Sequence, residues 1–553
     1  METRRLVLTL TGIAVALVVV LGGLSIALLA GGGGDGGEST ADGSPTPNLP
    51  DRIEGELRLF GPDPITLDPA CAADAGSAEY IVEIFSGLVS FDQDLNIIPD
   101  IAESFDTSDD GLVYTFHLRK TVNFHDSSRR VTAGDFKFSM ERALHPDTLS
   151  TVGEVYLDDI VGAKEFVRGQ AEEVTGIKAL NDDTLEITID APKAYFLSKL
   201  TYPTAFVVDR REVGASTCFQ GQDWTQNPNG TGPFKLAELA FGERIVLEPN
   251  ADFYLDPKPA LSKVTYIISG GSPLVMYEND EIDITGIGIN DIDRIRDPSE
   301  ALNAEFHESE SLDTFYIGIN VAEPPFDDPK VRQALAMAID KDLIASSLLV
   351  DLVIPARGIL PPGMPGYSEG LDGLPYNPDR ARELLDEAGG PDVLQDVAIL
   401  TSGRGASPGP VLDAIIALWE ENLGVTIAIE QEEFGVFQRD VKEGKYQLTS
   451  QGWIADYLDP QDFLDIHFHS ESPNNETGYS NAEVDDLLER ARTETDTEAR
   501  LALYQQAEEI VVQDAPWIPL SHGKNSYLIK PYVKGYIVPQ FVIPNLRYVT
   551  IEP

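Results

Sequence analysis

Residues 99–144 read PDIAESFDTSDDGLVYTFHLRKTVNFHDSSRRVTAGDFKFSMERAL, and the middle of this stretch alternates apolar and polar positions. The apolar positions are Leu112, Tyr114, Phe116 and Leu118. A period of two residues predicts a β-strand with one buried face. The same period recurs at 185–189, after the turn residues Asn181-Asp-Asp. Together these patterns predict a sheet-rich region from about 88 to 200.

The second half of the chain carries helix signals. Asn377-Pro378 combines an N-cap residue with Pro at the first helical position, and Gly389 is typical of a helix end. Further signals are Asp328-Pro329 ahead of Val331, Leu335, Ala338 and Ile339, a capping box at Ser480–Glu483 ahead of Leu487 and Leu488, and a helix over 408–422 leading into a strand at Val425–Glu430. Strands that alternate with helices predict an α/β lobe.

Length and composition indicate a large folded protein. The chain has 553 residues, of which 42% are hydrophobic and 24% charged, so we expect two or three lobes rather than one domain. Its net charge of −52 argues against nucleic acid as a partner, because phosphates require a basic surface. A solvated acidic surface is the simplest interpretation of that charge.

The amino terminus predicts export. Arg4 and Arg5 precede an uncharged apolar run, Leu6–Ala30, that is long enough to cross a bilayer. Positive charges before the run keep the amino terminus inside and place the rest of the chain outside. The run acts either as an uncleaved anchor or as a signal cleaved near Ala27 or Ala30. The Gly- and Ser-rich segment that follows is a flexible tether.

The chain contains two cysteines, Cys71 and Cys218. A disulfide is plausible in an oxidising compartment, and two buried thiols are the alternative. Without a C-x-x-C motif, neither a thiol redox centre nor a structural zinc site has support.

Sequence motifs give little support for catalysis. There is no H-E-x-x-H, and the glycine-rich stretch at 403–409 lacks the Lys-Ser/Thr of a phosphate-binding loop. His467-Phe-His469 has a spacing that would place two imidazoles on one strand face, but the pair follows a helical pattern and lacks a nearby Cys or another obvious third ligand. An enzyme is therefore the least favoured class.

Residues 452–460, GWIADYLDP, raise a more specific question. They follow an alternating stretch and place Asp456 between Trp453 and Tyr457, before a helix begun by Pro460. From the residues alone, Asp456 is a catalytic acid, a metal ligand, a helix cap or a counter-ion for a cationic ligand. Asp459 is already a candidate cap for that helix.

Long segments of the chain resemble one known family. Besides 99–144, they are NGTGPFKLAELAFGERIVLEPNADFY (229–254), LDTFYIGINVAEPPFDDPKVRQALAMAIDKDLI (312–344), YNPDRARELLDEAG (376–389) and YQQAEEIVVQDAPWIPL (504–520). In this order they are similar to the extracytoplasmic solute-binding proteins of oligopeptide and dipeptide ABC importers, bacterial extracellular solute-binding protein family 5. One departure is Ser127-Ser-Arg-Arg, where the family usually has a Gly-containing turn.

The resemblance implies an α/β fold of two lobes joined by a hinge, with an additional sheet-rich sub-domain in the first lobe. The residues themselves predict a signal or anchor helix at 1–30 and a linker at 31–52. The resemblance adds lobe I at 53–312 with its sub-domain at about 88–200, lobe II at 313–521 and a return to lobe I at 522–553. It implies an extracytoplasmic monomer without cofactors, attached to the membrane through its amino-terminal helix or secreted.

The resemblance also implies roles for individual residues. Asp456, in Trp453-Ile-Ala-Asp456-Tyr457, corresponds to the family's aspartate that pairs with the α-ammonium of a peptide. The strand ending at Gly452 is expected to pair with the peptide backbone. Trp453 and Tyr457 are expected as aromatic walls. Arg404, on the loop TSGRGASPG, resembles the arginine that holds the peptide carboxylate, with a surface arginine as the alternative.

The resulting hypothesis is a receptor that captures peptides and delivers them to a membrane permease. The alternative is the same scaffold with another solute, such as an oligosaccharide, a nickel complex or an opine-like compound. Trp224, Trp453 and Tyr457 are candidate stacking surfaces for a sugar.

Overall fold

The computed structural model describes residues 51–126, 129–214, 216–403 and 408–552. The predicted anchor at 1–30 and most of the linker at 31–52 lie outside these ranges. In the part of the chain that is described, no helix combines the length and apolarity needed to span a bilayer.

Strands are numbered here in chain order. They are β1 Glu56–Phe60, β2 Val89–Phe91, β3 Ile97–Pro99, β4 Ala102–Thr107, β5 Val113–Leu118, β6 Ile177–Asn181, β7 Thr184–Thr188, β8 Phe234–Ala240, β9 Arg244–Pro249, β10 Lys263–Ile267, β11 Ile284–Gly286, β12 Phe306–Glu310, β13 Asp313–Ile319, β14 Val353–Pro355, β15 Ala398–Ser402, β16 Ala428–Glu432, β17 Leu448–Ile454, β18 Trp517–Ile529, β19 Val533–Lys534 and β20 Thr550–Ile551.

Helices cover both halves of the chain. The α-helices are Ala75–Ile84, Ala133–Leu144, Gly153–Leu157, Ala163–Val167, Phe196–Lys199, Arg210–Val213, Pro273–Glu278, Ile292–Arg296, Pro329–Met337, Lys341–Leu343, Pro378–Glu387, Pro410–Leu423, Phe434–Lys442, Leu464–Phe468, Ala482–Thr493 and Thr497–Asp514. The 3-10 helices are Pro146–Thr148, Pro203–Ala205, Gln222–Gln226, Ala301–Glu305, Pro391–Leu394, Pro460–Asp462 and Leu546–Tyr548, and a π-helix spans Ile344–Leu348.

Three larger sheets organise these elements. One four-stranded sheet has the order β1-β10-β9-β8, and another has the order β4-β5-β7-β6. The largest runs β11-β18-β13-β17-β15-β16, with β12 and β14 also paired to β18. The sheet built on β4–β7 confirms the strands predicted from alternation, because Tyr114, Phe116 and Leu185 point into one apolar core.

The long strand β18 connects the part of the largest sheet that contains β12 to the part that contains β13. Its first part pairs with β13 and its last part pairs with β12, so β12 and β13 follow one another along the same partner. At the junction, the N–H of Gly523 donates to Oδ1 of Asp313 at 2.7 Å. A Cβ on Gly523 would lie 2.5 Å from Asp313 Oδ2, so the close approach requires glycine.

Helix caps agree with the sequence at two of three sites. Asn377 and Asp328 accept hydrogen bonds from the first turns of their helices. The capping box predicted at Ser480 is wrong by one residue: Asn481 caps the helix Ala482–Thr493, since its side chain accepts from the N–H of Glu483. The hydroxyl of Ser480 instead accepts a hydrogen bond from Ser470. The strand predicted at Val425–Glu430 begins later, as β16.

A disulfide joins Cys71 to Cys218 across 147 residues of sequence. It connects the loop after β1 to the loop before the 3-10 helix Gln222–Gln226. A buried ion pair between Arg142 and Asp68, at 2.8 Å, lies beside it, and Arg142 also donates to the hydroxyl of Ser216. These contacts fix one wall of the cavity described next.

Candidate ligand-binding cleft

A cleft of about 740 Å³ lies between the two halves of the molecule. Its walls come from segments far apart in sequence, including the loop after β1, the region 149–156, the loop around Cys218, the helix Phe434–Lys442 and the strand β17 with the turn that follows it. This volume falls within the roughly 300–1,000 Å³ typical of small-molecule sites. The cleft is therefore large enough to enclose a solute.

Asp456 lies on the cleft wall just beyond the end of β17. One of its carboxylate oxygens accepts a hydrogen bond from the hydroxyl of Tyr156, across the cleft. Its own N–H donates to the carboxylate of the fully buried Asp462 at 2.8 Å. Burial raises the pKa of Asp456 to about 7, and the hydrogen bond from Tyr156 offsets only part of that rise. No Lys or Arg pairs with Asp456 among the described residues, so the site lacks a positive charge opposite this carboxyl.

Tyr156 and Tyr202 form an aromatic pair on the opposite wall. Their rings stack with centroids 3.7 Å apart and planes 9° apart. The hydroxyl of Tyr202 donates to the carbonyl of Ala72 at 2.9 Å, which fixes the pair in place. No sequence pattern indicates either tyrosine, because Tyr156 lies 300 positions before the carboxylate that it contacts.

The strand β17 has an open edge on the cleft side. It pairs with β13 from Leu448 to Ile454, whereas on its other side β15 reaches only Leu448 and Thr449. The N–H of Ala455 donates to Leu312, so odd-numbered residues of this strand bond toward β13. The N–H and C=O of Gly452 therefore face the open edge, which no strand of the described chain occupies.

Packing against the neighbouring strand β13 also requires glycine at position 452. Its counterpart in β13 is Phe315, and a Cβ on Gly452 would lie 2.9 Å from the Phe315 ring. Any larger residue would push the ring or the strand aside. The glycine thus keeps the edge of β17 flat where it borders the cleft.

The two aromatic residues beside Asp456 have different positions. Trp453 lines the cleft and packs edge-on against the His467 ring, with centroids 4.2 Å apart. Tyr457 lies behind the wall, fully buried, with its hydroxyl bonded to Gln461. Because the chain turns after Ile454, the alternation of the strand no longer directs Tyr457 toward the cleft. Trp224, the other candidate for sugar stacking, packs against Phe85 away from the cleft lining.

The spacing of His467 and His469 suggested that both lie on one strand, but neither lies on a strand in the structure. His467 is in the helix Leu464–Phe468, and His469 follows its end. Burial lowers the pKa of His467 to about 3, so its ring is neutral. Among residues 51–552, apart from the undescribed gaps, no cluster of three His, Cys, Asp or Glu side chains has the arrangement of a metal site.

Contacts of Asp459 with the following helix and with Arg500 hold the turn that carries Asp456. Asp459 caps the 3-10 helix Pro460–Asp462 by accepting from the N–H of Gln461, as its position in the sequence suggested. The same carboxylate forms a two-pronged ion pair with Arg500, at 2.7 and 2.8 Å. Asp459 is therefore structural, and the helix cap leaves Asp456 free for another role.

Charge in the cleft is predominantly negative. The acidic residues in its lining are Asp74, Asp223, Glu443, Asp456 and Glu476. Against these, the described lining includes the basic residues Arg439 and Lys442. Lys442 already donates to Asn474 and to the carbonyl of Pro473, and Arg439 pairs with Asp440. Arg404 lies outside the described residues.

The raised pKa of Asp456 predicts a pH dependence of ligand binding. A cationic ligand needs the ionised carboxylate, so its affinity should fall as pH drops below about 7. Between pH 7.5 and 5.5 we expect a loss of about 25-fold, from the change in the ionised fraction. Calorimetry of an amino-terminally free peptide at both pH values measures this loss, and equal affinity would contradict it.

The raised pKa of Asp456 also determines how the stability of the ligand-free protein changes with pH. The folded-state value lies above the ordinary value of 3.8, so the folded protein holds this proton more tightly than the unfolded chain. The contribution of Asp456 to stability therefore decreases as pH rises from about 4 to 7. A bound cation reverses that decrease because it stabilises the ionised form.

Comparison with known proteins agrees with this geometry. Residues 96–475, more than half of the chain, match the model of the bacterial extracellular solute-binding proteins, family 5 Middle. The periplasmic oligopeptide-binding protein OppA of Escherichia coli is 30% identical over 497 residues, which cover 87% of this chain and 89% of OppA.

Solved structures share the two-lobed α/β architecture. The murein tripeptide-binding protein MppA of Escherichia coli superposes with a TM-score of 0.81 at 28% identity, covering 90% of this chain and 99% of MppA. The unliganded open form of MppA gives a TM-score of 0.64, with 90% and 98% coverage at 28% identity. The lower score indicates that the lobes of the present structure are closed relative to that form.

The match to the family model and the identity to OppA agree with the two-lobed fold and the enclosed cleft. They also agree with the order of the sequence segments described above. The chain belongs to the bacterial extracellular solute-binding proteins, family 5.

Proposed function

We propose that this protein is the extracytoplasmic receptor of an ABC importer that captures peptides between its lobes and delivers them to a membrane permease. The observation that carries the proposal is Asp456, a cleft carboxyl beside the open edge of β17 that has a raised pKa and no basic partner among the described residues. A peptide supplies the two groups that this arrangement lacks: an α-ammonium and an extended backbone.

The ammonium of the ligand would meet the carboxylate of Asp456. An enclosed ammonium loses its water and needs an opposite charge, and a charge-assisted hydrogen bond meets that need. Tyr156 already donates to the same carboxyl, so its hydroxyl would fix the orientation of the oxygens toward the ligand.

The backbone of the ligand would extend the sheet at the open edge of β17. The N–H and C=O of Gly452 are directed to this edge, and Trp453 lines the adjacent wall. Strand addition recognises the peptide backbone and leaves side chains to be selected by pockets. In this scheme Tyr457 packs behind the cleft wall and does not contact the ligand.

We retain Arg404 as the proposed partner of the peptide carboxylate. It lies between the end of β15 at Ser402 and the helix that begins at Pro410. The guanidinium fork suits a carboxylate, because it donates two parallel hydrogen bonds. Substitution by Gln is the direct test of this residue.

The domain boundaries and membrane attachment remain part of the proposal. We propose that the crossings between lobes lie near 312 and 521; in support, β13 follows β12 and β18 changes partners at these points. Hinge closure about these points would enclose the ligand. The apolar segment Leu6–Ala30 is proposed to hold the receptor at the outer face of the membrane or to direct its secretion. The receptor is proposed to be a monomer.

Direct binding measurements test the proposal. Protein freed of co-purified ligand by unfolding and refolding is titrated with tri- to pentapeptides and, separately, with a panel of oligosaccharides. We expect saturable peptide binding and intact peptide after incubation, since no catalysis is proposed. Binding of a sugar but no peptide would favour the alternative solute class and overturn the peptide assignment.

A further inference from the structure

One wall of the cleft is unusually apolar for a surface in contact with solvent. Four large apolar side chains in its lining are more than half exposed. They are Ile65 at 55%, Leu149 at 53%, Phe219 at 72% and Phe241 at 55%. Exposed apolar groups that cluster in a groove are characteristic of binding surfaces, whereas isolated ones are common everywhere.

Local structure holds Leu149 and Phe219 next to each other. Leu149 adopts a left-handed backbone conformation with φ of 59°, which is uncommon for a residue other than glycine. The N–H of Cys218 donates to the carbonyl of Thr148 at 2.8 Å, so Phe219 follows directly beside this turn. The disulfide to Cys71 fixes the same loop. The backbone thus presents both side chains to the cleft and does not let them fold inward.

A second contact brings Ile65 and Phe241 together. Phe241 lies in the hairpin between β8 and β9, and Ile65 lies in the loop after β1. The carboxylate of Asp63 accepts the N–H of Gly242 at 2.9 and 3.0 Å, which joins the two loops. Both loops belong to the first half of the chain, as do Leu149 and Phe219.

The cleft also has polar groups in its lining. The helix Phe434–Lys442 contributes Gln438, Arg439 and Lys442, and Glu443 follows its end. A ligand that fills the cleft therefore meets exposed apolar side chains as well as hydrogen-bonding groups.

We propose that Ile65, Leu149, Phe219 and Phe241 form a specificity wall that selects peptides with large apolar side chains. This inference rests on the proposed function and adds the substrate class. The occupant is the ligand itself, because the wall belongs to the same cleft as Asp456 and the open edge of β17. Backbone pairing at that edge positions the peptide, and alternate side chains then reach the apolar wall.

Two peptides of equal length test the selection. Ala-Leu-Phe-Leu and Ala-Ser-Gln-Ser share free termini and the first residue, and they differ in the apolar area that binding would bury. Calorimetry on the wild-type protein should show at least about tenfold tighter binding of the apolar peptide, since each large side chain removed from water favours binding. Equal affinity for both peptides would overturn the specificity wall while leaving peptide capture intact.

A double variant, Phe219→Ser with Phe241→Ser, tests the residues directly. It should lower the preference for the apolar peptide by about tenfold and change binding of the polar peptide less than threefold. The matched control, Leu180→Ser with Val275→Ser, removes two apolar residues that are about half exposed but lie outside the cleft lining. The control should keep the wild-type preference.

The outcomes separate the two proposals. A double variant with the wild-type preference would overturn the wall, as would a control variant that loses it. If the wild-type protein binds neither peptide, then peptide capture fails and the wall fails with it. Thermal unfolding of each variant shows that the exposed substitutions leave the fold intact, so a change in preference reports the contacts.

Discussion

Replacement of Asp456 by Asn is expected to weaken binding of a peptide with a free amino terminus by about 100- to 1,000-fold. Asn keeps the shape of the side chain and still accepts the hydrogen bond from Tyr156, but it removes the negative charge. The ligand ammonium would then be enclosed without a counter-ion, which costs about 2–5 kcal/mol. Calorimetry of the purified variant measures the loss.

An amino-terminally acetylated peptide provides the complementary control. It carries no ammonium, so Asp456→Asn should leave its already weak binding unchanged. Asp223→Asn is the matched protein control, because Asp223 is an exposed carboxylate in the same cleft lining and contributes little. An equal loss for free and acetylated peptides, or an Asp456→Asn variant within threefold of wild type, would contradict the counter-ion role.

Removal of the disulfide is expected to lower the free energy of unfolding by about 2–5 kcal/mol. Cys71 and Cys218 are separated by 147 residues, so their link greatly restricts the unfolded chain. Denaturant unfolding of a Cys71→Ala, Cys218→Ala variant, compared with the wild-type protein, measures the effect.

Reductant supplies the control for the disulfide. It should destabilise the wild-type protein to the level of the double alanine variant and leave the variant unchanged. A difference below about 1 kcal/mol between the two proteins would show that the bridge contributes little beyond the buried ion pair of Arg142 and Asp68. The loop bearing Phe219 begins at this bridge, so the variant should also bind the apolar peptide less selectively.

Local features of the fold were accessible from the sequence. Alternation located β5 and β7, and the residues Asn377 and Asp328 located helix starts, because each signal depends on neighbours within a few positions. The predicted cap at Ser480 was wrong because local signals do not distinguish it from Asn481, since both residue types are good caps. The hydroxyl of Ser480 is instead bonded to Ser470, a contact that no local pattern indicates.

The site was predicted in part. Gly452, Trp453 and Asp456 do lie together on the cleft, since they belong to one strand end. Tyr156 and Tyr202 were missed, because no sequence pattern links them to Asp456 across the fold. The position of Tyr457 depends on how the chain leaves β17, which alternation does not describe. The apolar wall was missed because its four residues come from four separate loops.

The pairing of β12 and β13 with the single strand β18 has a mechanical consequence. The two proposed passages between lobes form one ribbon of adjacent, hydrogen-bonded strands, fixed at its midpoint by Asp313 and Gly523. Such a ribbon bends readily out of its plane but resists bending within it, because one strand would have to stretch against the other. Opening and closing therefore follow essentially one coordinate. Under the proposed function, a solute bound at Asp456 would hold the lobes at the closed end of this motion, and the outer shape of the protein would then differ between the bound and free states.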